Sequence, residues 1–453
     1  MALQKSYYNY WGFSDDPFSH RPLGGDEVGQ NLLVGRDKEK ASIKTRLRKT
    51  DKICTVEGDI GIGKTSLVNV SIFECYEEWK DNKSQVPLLI PCISEFQLKE
   101  DLDIDEFRKE ILINLAKTII KYKEVLKTED CYFGKQIEQL FECKQKSGFS
   151  GGISFMGFGV NGGIDNEINK TQVFENDLLF NVIEEILIKT FEKIDGGIVC
   201  LIDNIELVNT NKKAKELIEL MRDKVFNIKG TKWVLCGEKD IFMSVVESAR
   251  MSAYIHRPIV VNKLDYRIAK NMFRSRFNFY GGTYLPLTQN EFESIFRMFE
   301  GNTRDIFQCV GDYCLEVYEN NDEPKYEYEK EDCFSKWLET FTVGYIRNTI
   351  NVIEEDYFKL LFNLYKFNIN NIGTFSRKYK GSNIKEFIEV LIENNFIKVY
   401  EDNTFTYLRK GHIMNYYLST FDSFEELEEE LENTFGIIVS NDSEHESYIK
   451  IGC

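Results

Sequence analysis

Two stretches of this chain combine residue types whose spacing points to specific chemistry. The first, Gly58-Asp59-Ile60-Gly61-Ile62-Gly63-Lys64-Thr65-Ser66, fits the pattern G-x-x-x-x-G-K-[ST]. Glycines at these positions let the backbone turn tightly and aim successive N–H groups at phosphate oxygens, which the N-terminus of a following helix also attracts. Lys64 would reach the terminal phosphates and Thr65 would ligate Mg²⁺. The second stretch runs Gly197-Ile198-Val199-Cys200-Leu201-Ile202-Asp203-Asn204-Ile205-Glu206. Five apolar residues ending in an aspartate describe a buried strand that delivers a carboxylate to the C-terminal edge of a sheet, where open α/β sheets place their ligands. Asp203 would hold Mg²⁺ directly or through water. Together the two stretches predict a nucleoside triphosphate site.

Elements able to position these residues lie on either side. The β-branched run Ile53 to Val56 reads as a strand before the glycine loop, and a helical pattern runs from Ser66 to Trp79 after it. A second buried strand is expected over Val86–Ile93. A helix spans Ile104–Tyr122, with Phe107, Ile111, Leu112, Leu115 and Ile119 on one face. A long helix over Val173–Ile194 leads into the Asp203 strand, and further strands fall at Lys232–Gly237 and Pro258–Asn262. Strands alternating with helices predict an α/β fold, a parallel sheet covered on both faces. From Asp265 to Tyr318 the pattern is helical only, and it contains the turn Gly301-Asn302-Thr303-Arg304 launching a helix. Residues 147–165, with seven glycines among Phe, Ile and Val, read as an inserted hairpin.

Bulk properties narrow the class. A chain of 453 residues is too long for one ordinary core. Hydrophobic residues at 42% and charged residues at 29% describe a globular protein. No run approaches the roughly 20 apolar residues of a membrane helix. The opening residues lack the apolar core of a signal peptide. Eleven cysteines in no pattern predict reduced thiols in a cytoplasmic protein, and neither they nor the four histidines show zinc spacing. The net charge of −17 opposes non-specific attraction to nucleic acid while allowing a local basic patch. One basic run exists: Arg36 to Lys52 holds eight Lys/Arg against three acids, read as a solvated or inter-subunit face.

The second half is built differently. Residues 325–350 read as a helix, followed by a compact segment at 352–418. Its pattern is a helix with Tyr357, Leu360, Leu361 and Leu364 on one face, short helices over Thr374–Lys380 and Asn383–Asn394, and a hairpin from Ile397 to Leu408. Arg377, Lys378 and Lys380 precede the third helix, and Arg409 and Lys410 follow the hairpin. The third helix itself exposes Glu386, Glu389 and Glu393, and carboxylates there repel a phosphate backbone. The tail from Asp422 to Glu432 carries seven acids around Phe424, Leu427 and Leu431.

The order of these pieces resembles the AAA+ ATPases, in particular their initiator (origin-recognition) branch and the related signal-transduction ATPases. The residues that carry the resemblance are Leu33-Val34-Gly35-Arg36-Asp37-Lys38-Glu39, the phosphate loop, the Asp203 strand and the Gly301–Arg304 turn. By that likeness Val34 and Gly35 border the adenine, and Arg304 senses the terminal phosphate from within the same subunit. Arg250 or Arg257 would act on a neighbouring subunit's nucleotide, or else form surface salt bridges. The helix–hairpin segment looks like a winged helix. Two departures stand out: the position after Asp203 is Asn204 where many relatives have Glu, leaving Glu206 as the next acid, and the strand ending at Gly237 offers Glu238 and Lys239 instead of an Asn or Thr sensor. If residues 204–206 stay extended, Glu206 points away from where 204 points, whereas a turn brings it back.

The implied organisation is an N-terminal extension (1–30), an AAA+ αβ nucleotide-binding domain (31–264), a helical lid and linker (265–350), a winged helix (351–420) and an acidic tail (421–453). The implied function is a slow ATPase using ATP and Mg²⁺, whose nucleotide state controls self-assembly and engagement of a protein partner in regulation or defence. The alternative is a DNA-binding initiator, loader or transposition-type ATPase acting through the winged helix.

Overall fold

The computed structural model describes residues 6–83, 85–99, 101–135, 138, 166–207, 211–321, 323–350, 355–379 and 384–435. The 147–165 insertion and the tail beyond 435 lie outside the described residues. The chain divides into two compact units, one of residues 22–60 and 64–261, the other of residues 1–21, 61–63 and 262–453.

The first unit is built on a parallel sheet. Its strands are β1 (Cys54–Gly58), β2 (Leu88–Pro91), β3 (Phe96–Gln97), β4 (Gly196–Asp203), β5 (Thr231–Gly237) and β6 (Ile259–Val261). They lie in the order β2-β4-β5-β1-β6, with β3 pairing the far end of β4, and every pair is parallel. Parallel strands covered on both faces must be apolar throughout, which explains why β1 is buried at all five positions and β4 at all but its first. The helices Lys64–Asp81, Ile104–Lys121, Asn166–Lys193 and Asn211–Lys224 flank the sheet. In the core, Trp79, Ile111, Leu115, Ile183 and Ile218 pack with the sheet residues Leu88, Ile198, Ile202 and Leu235. The expected strand over Val86–Ile93 is shorter than its apolar run, and the chain then re-enters the sheet as β3, which the sequence pattern did not announce.

The basic run is largely neutralised inside this unit. Its helix, Asp37–Lys49, lies against the helix Lys64–Asp81. Lys40 and Lys44 each reach a carboxylate oxygen of Glu74 at 2.9 Å, Lys44 also meets Glu78, and Arg48 Nη2 stands 2.5 Å from Glu78 Oε2. These basic side chains are less than one-fifth exposed. Part of a face expected to meet solvent or another subunit is thus a helix–helix seam, while Lys38, Lys49 and Lys52 stay exposed.

The second unit is helical apart from one hairpin. The helices Ala269–Tyr280, Gln289–Met298, Thr303–Asn320 and Glu327–Ile350 form its first part. The N-terminal aromatics are part of its packing: Trp11 Nε1 donates to Glu323 at 2.8 Å, Tyr7 Oη to the Gly311 carbonyl at 3.1 Å, and Phe18 lies among Phe273, Phe292 and Phe307. Its C-terminal module comprises the helices Glu355–Lys366, Ile372–Lys378 and Ile384–Glu393, the antiparallel pair β7 (Ile397–Val399) and β8 (Phe405–Tyr407), and the helix Arg409–Leu418. Leu361, Leu364, Phe375, Phe387, Leu391 and Phe396 form its core. The acidic helix Phe424–Phe435 docks there through Leu427 and Leu431, both buried, so its apolar stripe is used within the chain. Arg409 is turned inward as well, with Nη1 donating to the Asp305 carbonyl at 3.1 Å and Nη2 to Asp312 Oδ2 at 2.9 Å. Among the described residues no helix is long and apolar enough to cross a membrane.

Candidate functional site

The glycine loop joins β1 to the helix Lys64–Asp81, so a buried strand feeds a helix whose N-terminal N–H groups lack intrahelical partners. Gly61 and Gly63 hold φ of +78° and +95°, a region that side-chain-bearing residues rarely adopt. Lys64 is buried, and its Nζ donates to the Gly58 carbonyl at 2.9 Å and the Asp59 carbonyl at 3.0 Å. Among the described residues the ammonium is therefore held over the loop by two backbone oxygens and no side chain.

Thr65 Oγ1 donates to Asp203 Oδ2 at 2.6 Å. Asp203 closes β4 and is 4% exposed, and its second oxygen Oδ1 is buried with no hydrogen-bond partner among the described residues. A buried carboxylate oxygen left unpaired is costly unless a cation or donor joins it. A hydroxyl and a carboxylate form the all-oxygen, partial ligand set suited to Mg²⁺, which keeps its remaining positions for water and phosphate.

Past Asp203 the chain turns. Asn204 adopts a left-handed φ of +54°, and Ile205–Leu207 form a 3₁₀ turn. Asparagine tolerates this conformation better than a longer side chain does, because its short amide bonds locally. The turn leaves Glu206 within electrostatic range of Lys64, Asp203 and Glu238. Burial raises its carboxyl above the ordinary range, the Lys64 charge opposes the rise, and the charges of Glu238 and Asp203 add to it. Glu206 Oε2 is buried and, among the described residues, has no hydrogen-bond partner.

One acid at this junction escaped the sequence reading. Glu57, the last residue before the loop, is 4% exposed and lies opposite Gly237 of β5 and Val260 of β6. Burial pushes its carboxyl up to about 7, with the Asp240 charge adding to the rise and Lys239 and the Asp240 amide opposing it. The only signal was a carboxylate ending an otherwise apolar strand. The folded protein holds this proton more tightly than the unfolded chain, whose ordinary value is 4.5. Stability is therefore expected to fall as pH rises from 4.5 to about 7, and to level off above that. Glu57→Gln should remove this slope and stabilise the protein at pH 8 by about 1–2 kcal/mol after allowance for solvent screening, roughly 3–6 °C for a unit of this size. Melting curves at pH 5 and pH 8 provide the check; equal slopes in wild type and variant would exclude Glu57 as the titrating group.

The remaining sequence candidates are distributed as follows. Val34 and Gly35 join the short helix Glu27–Leu32 to the helix Asp37–Lys49. The segment before them is tied to the start of the phosphate-loop helix, since Leu23 N–H donates to Ser66 Oγ at 3.0 Å and Asn69 Nδ2 to the Leu23 carbonyl at 3.4 Å. Arg304 is exposed in the first turn of the helix Thr303–Asn320. Its amide donates to the Gly61 carbonyl at 3.2 Å, and Thr303 Oγ1 donates to the same oxygen at 2.9 Å. Arg250 and Arg257 lie in the segment leading to β6, near the start of β1, where Ile255 bridges Ile53. Arg257, two residues past that bridge, thus lies alongside the first half of β1. Arg250 is over half exposed and stands 3.6 Å from Asp223, and Arg257 is exposed.

No family model and no curated protein matches the chain. The solved structures it resembles include a Walker-type ATPase and the ORC and Cdc6 proteins of archaea. The Walker-type ATPase PABY2304 of Pyrococcus abyssi is 14% identical, with a TM-score of 0.44 over 88% of this chain and 99% of that one. The ORC2 protein of Aeropyrum pernix, in its ADPNP–ADP complexes, is 10% identical, with a TM-score of 0.46 over 90% and 96%. Cdc6p of Pyrobaculum aerophilum is 12% identical, with a TM-score of 0.37 over 90% and 99%. By its own parallel sheet, glycine loop and flanking helices, the chain has an α/β fold of the P-loop kind, followed by a helical unit.

Proposed function

We propose that this protein binds MgATP at the junction of β1 and the helix Lys64–Asp81 and hydrolyses it slowly, its nucleotide state governing self-assembly and engagement of a protein partner. The observation that carries the reading is the Thr65–Asp203 contact of 2.6 Å, which joins the loop to the end of β4 beside a carboxylate oxygen unpartnered among the described residues. In this reading the N–H groups of Asp59 to Thr65 cradle the phosphates. The Lys64 ammonium leaves its two carbonyl partners for the terminal phosphate oxygens, Thr65 and Asp203 hold the divalent cation, and Ser66 stays committed to Leu23. The cation neutralises charge that develops on the phosphate oxygens. Glu206 accepts the proton of the attacking water. Val34 and Gly35 border the base, and Arg304 contributes a cation in cis. Arg250 or Arg257 contributes one in trans.

The C-terminal module we read as a winged helix that contacts protein rather than DNA. Arg377 folds back onto the Gly373 carbonyl at 3.1 Å, Lys378 covers the Phe367 ring, and Arg409 is held by Asp305 and Asp312. Glu386, Glu389 and Glu393 remain exposed on the third helix. That surface suits a basic partner.

Calorimetric titration of the full chain with ATP is expected to show one site per chain, with binding much weakened when EDTA removes the metal. Absence of both heat and thermal stabilisation at millimolar MgATP would refute the nucleotide reading.

A further inference from the structure

We infer that Cys92 and Cys200 form a redox-modification site, in which a hydroperoxide oxidises Cys92 and Cys200 then closes a reversible disulfide between β2 and β4. The inference is independent of the nucleotide reading. Its first support is register. Pro91 lies opposite Val199, and Cys92 N–H donates to the Val199 carbonyl at 3.0 Å, so the next pair along this parallel ladder is Cys92 with Cys200. Neighbouring strands lie about 4.8 Å apart, and disulfides span Cα separations of roughly 4.4–6.8 Å. Residues opposed in a parallel ladder send their side chains to the same face. Both cysteines are free thiols, and Cys200 Sγ donates to the Ile198 carbonyl at 4.0 Å.

The two sulfurs are not equivalent. Cys200 is wholly buried in the middle of β4, whereas Cys92 is half-buried just past the end of β2. Thr118 Oγ1 lies 3.6 Å from Cys92 Sγ and itself accepts from the Ile93 N–H at 3.2 Å. That hydroxyl can turn its proton between Cys92 and the Asn114 carbonyl at 2.7 Å. The neighbouring Cys200 thiol above all, with the Ser94 and Ile93 backbone and the Thr118 hydroxyl, outweighs burial and brings the Cys92 thiol down to about 7, while burial holds Cys200 well above the usual thiol range. Burial also raises Cys54, Cys75, Cys236, Cys309 and Cys314. A half-buried cysteine with a lowered pKa beside a protonated, enclosed thiol is the arrangement of an attacking and a resolving cysteine.

The chemistry balances without help from the protein's other groups. Cys92 thiolate attacks one oxygen of hydrogen peroxide, the O–O bond breaks, and sulfenic acid forms with release of hydroxide. Cys200 sulfur then attacks the sulfenic sulfur as its own proton leaves with the departing hydroxyl, giving a disulfide and water. Two thiols and one peroxide thus yield one disulfide and two waters, and a dithiol reductant reverses the change.

The test is limiting hydrogen peroxide at pH 7 on the full chain, followed by alkylation of the remaining thiols and non-reducing peptide mapping. The Cys92–Cys200 linked peptide should be the first disulfide to appear and should vanish with dithiothreitol. Cys200→Ser should leave a dimedone-trappable sulfenic acid on Cys92, and Cys92→Ser should leave Cys200 a free thiol at the same dose. A wild-type map in which both cysteines stay alkylated while other cysteines oxidise would overturn the inference, as would oxidation of Cys200 in Cys92→Ser at the wild-type rate. The wild-type map needs no substituted protein, so it decides the matter even if a serine variant fails to fold.

Discussion

Lys64→Ala is expected to weaken MgATP binding at least a hundredfold. The side chain is buried, and among the described residues its ammonium has no carboxylate within hydrogen-bond reach; it rests on the Gly58 and Asp59 carbonyls at 2.9 and 3.0 Å. A cation held only by backbone oxygens exchanges these bonds readily for the charge-assisted bonds that phosphate oxygens offer. Hydrogen bonds to charged groups contribute about 1.5–3 kcal/mol each, and a loss near 3 kcal/mol is about a hundredfold in affinity. The truncation also strips a donor from two carbonyls, so the variant should melt lower even without ligand. Binding is therefore best read as the difference in melting temperature with and without MgATP, which cancels that intrinsic cost. At a ligand concentration 100 times the wild-type Kd, the wild type gains about 2.7 kcal/mol, and the variant should gain almost nothing. An equal MgATP-induced shift in both proteins would remove Lys64 from the site, whatever their absolute melting points.

How much of this site was legible in the sequence follows from how local its determinants are. The loop was legible because tight turning at Gly61 and Gly63, with φ of +78° and +95°, leaves a fixed pattern of residue types between a strand and a helix. Asp203 was legible because a strand buried on both faces must be apolar until it ends, so a terminal carboxylate stands out. The destination of Glu206 was not: it depends on whether Asn204 turns, and an asparagine accepts either an extended or a left-handed backbone. Only the surrounding packing decides, and here φ is +54°. Glu57 was hidden because its burial comes from β5 and β6, some 180 and 200 residues further along the chain. The basic run was misleading for the same reason, since the charges of Lys40, Lys44 and Arg48 are met by Glu74 and Glu78 on a different helix. Arg409 likewise looked like part of a basic surface until the fold set it against Asp305 and Asp312. Residue types reveal what a position can do, but long-range packing decides whether a charge is available to a ligand or already engaged.

Glu206→Gln is expected to lower the ATP turnover rate by about a hundredfold or more while leaving MgATP affinity within a few-fold of wild type, in line with the 10²–10⁴ that a positioned proton acceptor contributes. The 3₁₀ turn leaves this carboxylate within electrostatic range of Lys64 and Asp203, with Oε2 buried and, among the described residues, without a hydrogen-bond partner. An enclosed oxygen with an open lone pair is what a water that must lose its proton requires. Burial raises the Glu206 carboxyl, the Lys64 charge opposing and those of Glu238 and Asp203 adding. A proton acceptor works only when ionised, so turnover by the wild type should climb with pH through that raised value and then level off. The bound triphosphate, itself negative, moves the climb further toward neutral pH. Glutamine keeps the shape of the side chain and its hydrogen-bonding capacity but cannot accept the proton, so the variant should be slow at every pH and should lack the climb. Single-turnover rates from pH 5.5 to 8.5 separate this from a structural defect, which would lower the rate without flattening its pH dependence. A glutamine variant as fast as wild type would pass the role to Glu238, the neighbouring acid at the tip of β5.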